Sequence, residues 1–342
     1  MEELGFSWNP LEEKWNQLYN LAKKYYEKYG DLLVPSSYEI DNLGNVIFYK
    51  KGTKGYHNKI MLTAHMDEVG FIISGITEEG ALKFKTVGGI DARIIQNTKV
   101  IIGENRINGV IGAKPAHMSK EYQPVKVSEL VIDIGCRSKL EAESIINIGD
   151  YAMFNSIYTE FGDELVKAKA LDDRVGCYVL SKLMEKEYPN DIYFVFTVQE
   201  EVGCRGASVV GDRIKPDYSF VIEGTTCSDV PHCTQYNYST LLGKGAALSM
   251  LDSGSYSDRE LTKFLYDTAV SNNIPVQYKR VTAGGNDANA IQISGDGYKV
   301  AAVSVPCRYI HSPVSVASLK DINSCYDLLY NALSKESSLW SC

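Results

Sequence analysis

The stretch Asp191-Ile-Tyr-Phe-Val-Phe-Thr-Val-Gln-Glu200-Glu201-Val-Gly203 decides the fold. Its first half is an apolar, β-branched and aromatic run of strand length, which predicts a strand buried on both faces of a mixed or parallel sheet. Two adjacent carboxylates follow almost at once. A Glu-Glu pair alone is more often a solvated turn, but the end of a buried strand is also where open α/β sheets bind ligands.

The composition is that of an ordinary globular protein. With 342 residues, 44% hydrophobic and 23% charged, the chain can bury one large core or two smaller ones without disulfides. A net charge of −8 argues against nucleic-acid or acidic-membrane partners, because neither attracts an anion. The start lacks signal-peptide features and no apolar run reaches membrane-span length, so we expect a cytoplasmic protein. Its eight cysteines form no Cys-x-x-Cys pair and are expected to be reduced.

The chain reads as one α/β domain with an interruption. Residues 15–28 have apolar side chains at helical spacing, and residues 38–49 and 59–64 are strand-like. After them come short alternating runs punctuated by Gly and Pro, which predict a mostly β insert; helices and strands then alternate again. We therefore expect an α/β domain made of residues 1–70 and 162–342, and an inserted β domain of residues 71–161.

Five places share one pattern, an apolar run followed at or near its end by a side chain that can bind a metal. They are marked by His65, Asp172, the pair Glu200 and Glu201, Glu223, and His311. Each alone has a plain structural explanation, such as a hydrogen-bonded His or a helix N-cap. Together they predict convergence, because strand ends of one sheet lie along one edge. Imidazoles and carboxylates suit zinc or cobalt, and five such ligands suit two ions about 3.5–4 Å apart with a bridging carboxylate.

Four motifs carry a resemblance to a known family. They are Thr63-Ala-His65-Met-Asp67-Glu68-Val-Gly70, Ala170-Leu-Asp172-Asp173-Arg-Val-Gly176, Val198-Gln-Glu200-Glu201-Val-Gly203 and Cys307-Arg-Tyr-Ile-His311-Ser-Pro313. In them the chain resembles the M42 family of dinuclear metallo-aminopeptidases, which includes glutamyl aminopeptidases and tetrahedral assemblies and has some members labelled cellulase. Residues 87–91 and 112–117 also resemble family landmarks. The resemblance implies a mixed-sheet catalytic domain of the zinc-peptidase, phosphorylase/hydrolase-like type with an inserted, small β-barrel-like domain.

The resemblance also implies a ligand set. His65, Asp172 and Glu223 would hold one divalent ion, and Asp172, Glu201 and His311 would hold the other, so that Asp172 bridges the two. The peptide bond that follows Asp172 would be cis. Zinc is the first expectation for both ions, with cobalt or manganese as alternatives.

Two further residues receive roles from the resemblance. Glu200 would be the general base, and Asp67 would orient the imidazole of His65. Glu223 departs from the family, because many members have the shorter Asp at this position. Asn286 lies in a Gly-Gly-Asn-Asp loop where Thr is common, and the sequence assigns this loop no role.

The activity implied is removal of N-terminal residues from peptides by a two-metal-activated water with a Glu general base. The implied partners are peptide substrates and other copies of the chain, which would associate through the insert as a dimer that can build a dodecamer. The side-chain preference, the native metal and the subunit number stay open.

Three alternatives remain at this point. A carboxypeptidase or deacylase could use the same metal frame, and would be recognised by its action on C-terminal or N-acylated substrates. A glucanase needs two carboxylates across the glycosidic bond and has no use for two converging histidines. A non-catalytic assembly module of the same fold would not need an intact ligand set.

Overall fold

The computed structural model describes residues 38–56, 58–112 and 126–335. The helix predicted at residues 15–28 and most of the landmark at 112–117 lie outside the described residues.

Strands dominate the described part of the chain. In order they are β1 (Tyr38–Ile40), β2 (Val46–Lys50), β3 (Lys59–His65), β4 (Gly70–Ile76), β5 (Leu82–Val87), β6 (Lys99–Ile102), β7 (Ile107–Gly112), β8 (Val131–Asp133), β9 (Tyr151–Phe154), β10 (Thr159–Phe161), β11 (Leu165–Ala168), β12 (Asp191–Thr197), β13 (Tyr218–Thr226), β14 (Ala246–Ser249), β15 (Val276–Tyr278), β16 (Lys299–Arg308) and β17 (Ser315–Ser318). The α-helices are α1 (Ala92–Ile95), α2 (Lys139–Glu143), α3 (Leu171–Met184), α4 (Ala207–Ile214), α5 (Arg259–Ser271), α6 (Asp287–Gln292) and α7 (Leu319–Ser334).

Eleven strands form one mixed sheet. Its order is β1-β2-β12-β3-β13-β16-β17-β11-β10, and β14 pairs with both β15 and β16. The four central strands β12, β3, β13 and β16 are parallel to one another. The outer neighbours β2 and β17 run antiparallel to them. The predicted mixed α/β sheet is confirmed, and its central strands end at a common edge.

Both faces of this sheet are covered by helices. Alternate side chains of a strand point to opposite faces, and in β3 Leu62 packs with residues of α3 and α7, whereas Met61 packs with residues of α4 and α6. Phe194 and Val195 divide in the same way in β12. Burial on both faces explains why these strands are continuously apolar rather than alternating.

Strands β4 to β9 form a separate closed barrel in the order β4-β5-β8-β7-β6-β9. It has its own apolar core, in which Phe71 makes edge-to-face contacts with Phe84 and Phe154. The expected barrel-like insert is confirmed as a separate barrel. The division at residues 71 and 161 stays a prediction, and β10 near its end pairs with β11 in the large sheet.

Candidate metal centre

The register of the parallel strands brings four of the predicted residues to one edge of the sheet. His65 ends β3 opposite Thr197 of β12, so Glu200 and Glu201 begin three residues beyond it. On the other side β3 pairs with β13 only as far as Thr63 and Val221. Continued by two residues, this register sets Glu223 level with His65. The two strands separate there and leave a cleft at the sheet edge.

Asp172 enters the cleft from the start of α3. A side chain at Gly224 would place its Cβ 3.0 Å from the Cβ of Asp172, so the glycine on β13 makes room for this approach. Asp172 and Asp173 have non-helical backbone angles, and the peptide bond between them is cis, as the resemblance implied.

The carboxylate of Asp172 lies between the two imidazoles. Its Oδ1 is 3.3 Å from Nε2 of His65, and its Oδ2 is 3.6 Å from Nε2 of His311. Nε2 of His311 is also 3.4 Å from Oε2 of Glu201. Oε2 of Glu200 is farther away, 3.9 Å from Nε2 of His65. The carboxylate of Asp172 thus faces both imidazoles. The carboxylate of Glu200 also lies near His65, and that of Glu201 lies near His311.

The other nitrogen of each ring faces a carbonyl oxygen. Nδ1 of His65 lies 3.2 Å from the backbone oxygen of Asp67, and Nδ1 of His311 lies 3.0 Å from that of Gly89. In the tautomer with the proton on Nδ1, each ring donates to its carbonyl and keeps Nε2 free as a ligand atom.

Asp67 does more than contact His65. Its side chain lies 3.5 Å from Nδ1 of the ring and accepts hydrogen bonds from the backbone N–H groups of both Glu200 and Glu201, each at 3.1 Å. One carboxylate therefore links the end of β3 to the turn that carries the Glu pair. The sequence interpretation included the contact with the imidazole but not the two backbone bonds.

Asp173 is a residue that the sequence interpretation passed over as a possible helix cap. It is fully buried, and its carboxylate accepts from the backbone N–H of His65 at 3.2 Å and of Gly176 at 2.9 Å. A Cβ at Gly176 would lie 2.4 Å from this carboxylate. Asp173 thus joins the end of β3 to the first turn of α3, and so sets the position of Asp172.

Asn286, in the loop left without a role, holds Glu223. Its Nδ2 donates to Oε1 of Glu223 at 3.0 Å and to Oδ2 of Asp252 at 3.1 Å, and all three side chains are buried. The only signal in the sequence was that Glu223 and Asn286 both depart from the common family pattern.

The donor atoms fit divalent metal ions. His65, Asp172 and Glu201 each offer a ligand atom within 4.8 Å of the others. Oε1 of Glu201 is buried and has no hydrogen-bond partner among the described residues, which is costly unless another ligand binds there. Imidazole and carboxylate donors with ordered outer contacts are the set that zinc and similar ions prefer.

Without bound ions, the net charge of this site depends on which of its carboxyl and imidazole groups are protonated. Burial raises the pKa of Glu200 to about 8 and that of Glu201 to about 7, although nearby imidazoles lower both. Burial also raises the pKa of Glu223 well above its usual value. Burial opposes ionisation of Asp172, but hydrogen bonds from the two imidazoles lower its pKa to about 2. The bond to Asp172 raises the pKa of His311 to about 9.

Six of the seven predicted side chains line one cleft of about 450 Å³, and Asp67 lies behind His65. Lys279, Gly284 and Ile310 form other parts of its wall. Imidazoles and carboxylates gathered at the carboxyl edge of a sheet, beside a cleft, form the kind of site that metal-dependent hydrolases use.

Comparison with known proteins identifies the family. The model of the M42 glutamyl aminopeptidase family matches residues 44–328, and the chain belongs to this family of peptide hydrolases. A relative from Acetivibrio thermocellus is 40% identical over 300 residues, which cover 86% of this chain and 87% of the other. The structure of an aminopeptidase from Desulfurococcus kamchatkensis is 36% identical, with a TM-score of 0.85 over 90% of this chain and 87% of that one. Pyrococcus horikoshii TET1 peptidase, which can assemble into a tetrahedron or a large octahedral shell, is 34% identical with a TM-score of 0.80 over 92% and 93% of the chains.

Among the described residues, no helix has the length and apolar character needed to cross a bilayer.

We predict that metal binding to the ion-free protein releases protons. Glu201, Glu223 and the imidazole of His311 hold protons near neutral pH, and ligands must lose theirs to bind an ion. Apparent affinity should therefore rise from pH 6 to about 9 and then level off. Calorimetric titration with zinc in buffers of different ionisation enthalpy measures the number released. Heats of zinc binding that do not change with the buffer or with pH would contradict the predicted release of protons.

We predict that Asn286→Ser weakens metal binding by roughly 10–100-fold, the usual effect of losing an outer contact to a ligand. Serine keeps the ability to cap α6, which Asn286 does through Ala288, but it lacks the amide donor to Glu223. Competition with a chelator measures the change. Asn331→Ala on α7 is the control and should leave affinity unchanged. Equal affinities in wild type and Asn286→Ser would contradict the assigned contact.

Proposed function

We propose that this M42 hydrolase is a metal-dependent aminopeptidase that removes N-terminal residues from peptides. The observation that carries the proposal is the carboxylate of Asp172, which has one oxygen facing His65 and the other facing His311. This arrangement suits a bridge between two ions. An aminopeptidase of known structure shares the fold over nearly the whole chain.

In this proposal the ligands divide between two ions. His65, Asp172 and Glu223 would hold one. Asp172, Glu201 and His311 would hold the other. Zinc is the first expectation, with cobalt or manganese as alternatives. Bound divalent ions lower the pKa of water and polarise a carbonyl group, which are the two things that a peptide bond needs for hydrolysis at neutral pH.

Glu200 is proposed as the general base because it lies in the cleft beside His65 and is outside the proposed ligand set. Its carboxylate takes a proton from the attacking water and returns it to the leaving amine. Burial raises its pKa, which favours a group that must both accept and release a proton near neutral pH. Asp67 supports this role by holding the backbone of Glu200 and Glu201, and it orients His65.

A panel of substrates tests the proposed activity. Metal-depleted protein refilled with zinc, cobalt or manganese should hydrolyse aminoacyl-p-nitroanilides and lose this activity when the substrate is N-acetylated. The same protein should not release C-terminal residues or cleave β-glucan. Cleavage of N-acylated or C-terminal substrates would favour the deacylase or carboxypeptidase, and sugar release would favour the glucanase. Absence of any hydrolysis by the metal-loaded protein would favour the assembly module.

A pair of substitutions separates the roles of Glu200 and Glu201. Glu200→Gln removes the proton acceptor at nearly constant volume, so kcat should fall by about 10²–10⁴-fold while two ions stay bound. Glu201→Gln should instead weaken one ion, and excess metal should restore part of the rate. Metal analysis and kinetics at saturating metal distinguish the two, with Glu160→Gln on β10 as the matched control. Loss of an ion from Glu200→Gln, or kcat above about a tenth of wild type when two ions are bound, would contradict the assignment.

We propose further that the barrel carries contacts between subunits of a dimer that can build a dodecamer. Three large apolar residues are mostly exposed in and beside its strands: Leu140 at 80%, Ile148 at 69% and Tyr151 at 64%. Exposed apolar patches often mark interfaces. A self-assembling relative with this fold supports the proposal.

Sedimentation velocity at micromolar concentration tests this assembly. Wild type should sediment well above the 38.0 kDa of one chain, and Ile148→Asp should shift the distribution to smaller species. Tyr236→Asp, at a still more exposed apolar position outside the barrel, should not. A monomeric wild type, or an Ile148→Asp variant of unchanged size, would contradict the proposed interface.

A further inference from the structure

A second group of possible ligand atoms lies beside the proposed base, apart from the five residues assigned to the two ions. Glu200, Cys204 and Asp287 each present one donor atom within 4.8 Å of the other two. Sγ of Cys204 is 3.6 Å from Oε1 of Glu200. Both Glu200 and Cys204 line the cleft, so an ion from solution can reach them.

Asp287 supplies an independent sign that this group can take a ligand. Its side chain is only 2% exposed. Thr197 donates to its Oδ2 at 2.5 Å, whereas Oδ1 has no partner at hydrogen-bond distance within the described part of the chain, although the Cys204 thiol beside it also interacts with this carboxylate. A buried polar atom without a partner is costly, and binding of a cation would remove that cost.

The turn after β12 holds the thiol in place. Gly203 and Cys204 both have positive φ angles, 112° and 50°. The backbone N–H groups of both residues donate to the carbonyl oxygen of Glu200 at 2.9 Å. This tight turn folds the Cys204 side chain back beside the carboxylate of Glu200. The sequence analysis counted this cysteine among eight without giving it a role, and its neighbour Asp287 comes from a helix far along the chain.

The donor types select a class of ion. One thiolate and two carboxylates favour zinc or cadmium over magnesium or calcium, because sulfur is a soft ligand. In the tetrahedral geometry that zinc prefers, bonds of about 2.3 Å to sulfur and about 2.0–2.2 Å to oxygen place two ligand atoms about 3.4–3.7 Å apart. Sγ of Cys204 and Oε1 of Glu200 already have this spacing, and side-chain rotations that move the third donor by about 1 Å at most would close the group around one ion.

We propose that Glu200, Cys204 and Asp287 form a third site for a thiophilic divalent ion such as zinc or cadmium, and that its occupation inhibits the enzyme. Binding forms a metal–sulfur bond, and the thiol proton passes to solvent without any change of oxidation state. Coordination of Glu200 prevents it from accepting a proton. The inhibition rests on the proposed role of Glu200, whereas the binding site does not.

Cadmium chloride is the probe for binding. Metal-depleted protein is first refilled with two equivalents of zinc and then titrated with cadmium, while the ultraviolet charge-transfer band of a cadmium–thiolate bond is recorded. One further equivalent should bind and produce the band. Cys204→Ser should abolish the band, and Cys136→Ser, a change in a cysteine of the barrel region, should not. Asp287→Asn keeps the thiol and should lower cadmium affinity by at least about tenfold, as expected for the loss of one anionic ligand.

Inhibition is measured on the same samples. Aminoacyl-p-nitroanilide hydrolysis should fall over the cadmium range in which the band appears, and Cys204→Ser should need at least about tenfold more cadmium for equal inhibition. Absence of the band, or a band that persists in Cys204→Ser, overturns the third site even if the peptidase is active. A band that is lost in Cys204→Ser and kept in Cys136→Ser, together with lowered cadmium affinity in Asp287→Asn, establishes the site even if no peptidase activity is found, whereas unchanged affinity in Asp287→Asn overturns it. If Cys204→Ser does not fold, an unchanged cadmium affinity in Asp287→Asn overturns the proposal, and a lowered one supports it.

Discussion

The buried carboxylate of Asp172 between two imidazoles is the interaction on which the rest of the structure depends. An anion taken out of water costs several kcal/mol unless opposite charges or hydrogen-bond donors compensate for it. Here the compensation comes from His65 at the end of β3 and His311 in the turn after β16, and Asp172 itself comes from the start of a helix. The parallel strands must therefore end at one level, and β13 must carry Gly224 where the helix approaches.

A set of buried or half-buried polar side chains keeps this edge in register by binding backbone groups of neighbouring segments. Asp67 holds the turn after β12, and Asp173 joins β3 to α3. Asn45 accepts from the backbone N–H of Val198 and donates to the carbonyl oxygen of Gly206, on either side of the Glu pair. Each such bond fixes a backbone segment that carries a candidate ligand, so these side chains are oriented before any ion binds. Preorganisation of this kind is what a metal site requires of its surroundings.

The sequence alone was enough to single out those candidate site residues that a local pattern of neighbouring residues marks. Apolar runs of strand length located β3, β12, β13 and β16, and a ligand-type side chain at or near the end of such a run is a local signal. The mostly β insert followed from short alternating runs punctuated by Gly and Pro, and its barrel form was implied by the family resemblance. Asp173, Asn286 and the pair of Cys204 with Asp287 could not be predicted, because their roles depend on contacts between segments far apart in the chain. Glu223 illustrates both cases. The apolar run before it marked its position in the sequence, whereas its hydrogen bond from Asn286 is a contact between distant segments.

The most direct test of the central claim is anomalous diffraction at the zinc edge from crystals of protein loaded with two equivalents of zinc. The account predicts two peaks in each subunit, one beside each oxygen of Asp172 at about 2.0–2.2 Å, with His65 on one ion and His311 on the other. Glu200 should remain outside both coordination shells. A single peak, or two peaks that Asp172 does not bridge, would contradict the account.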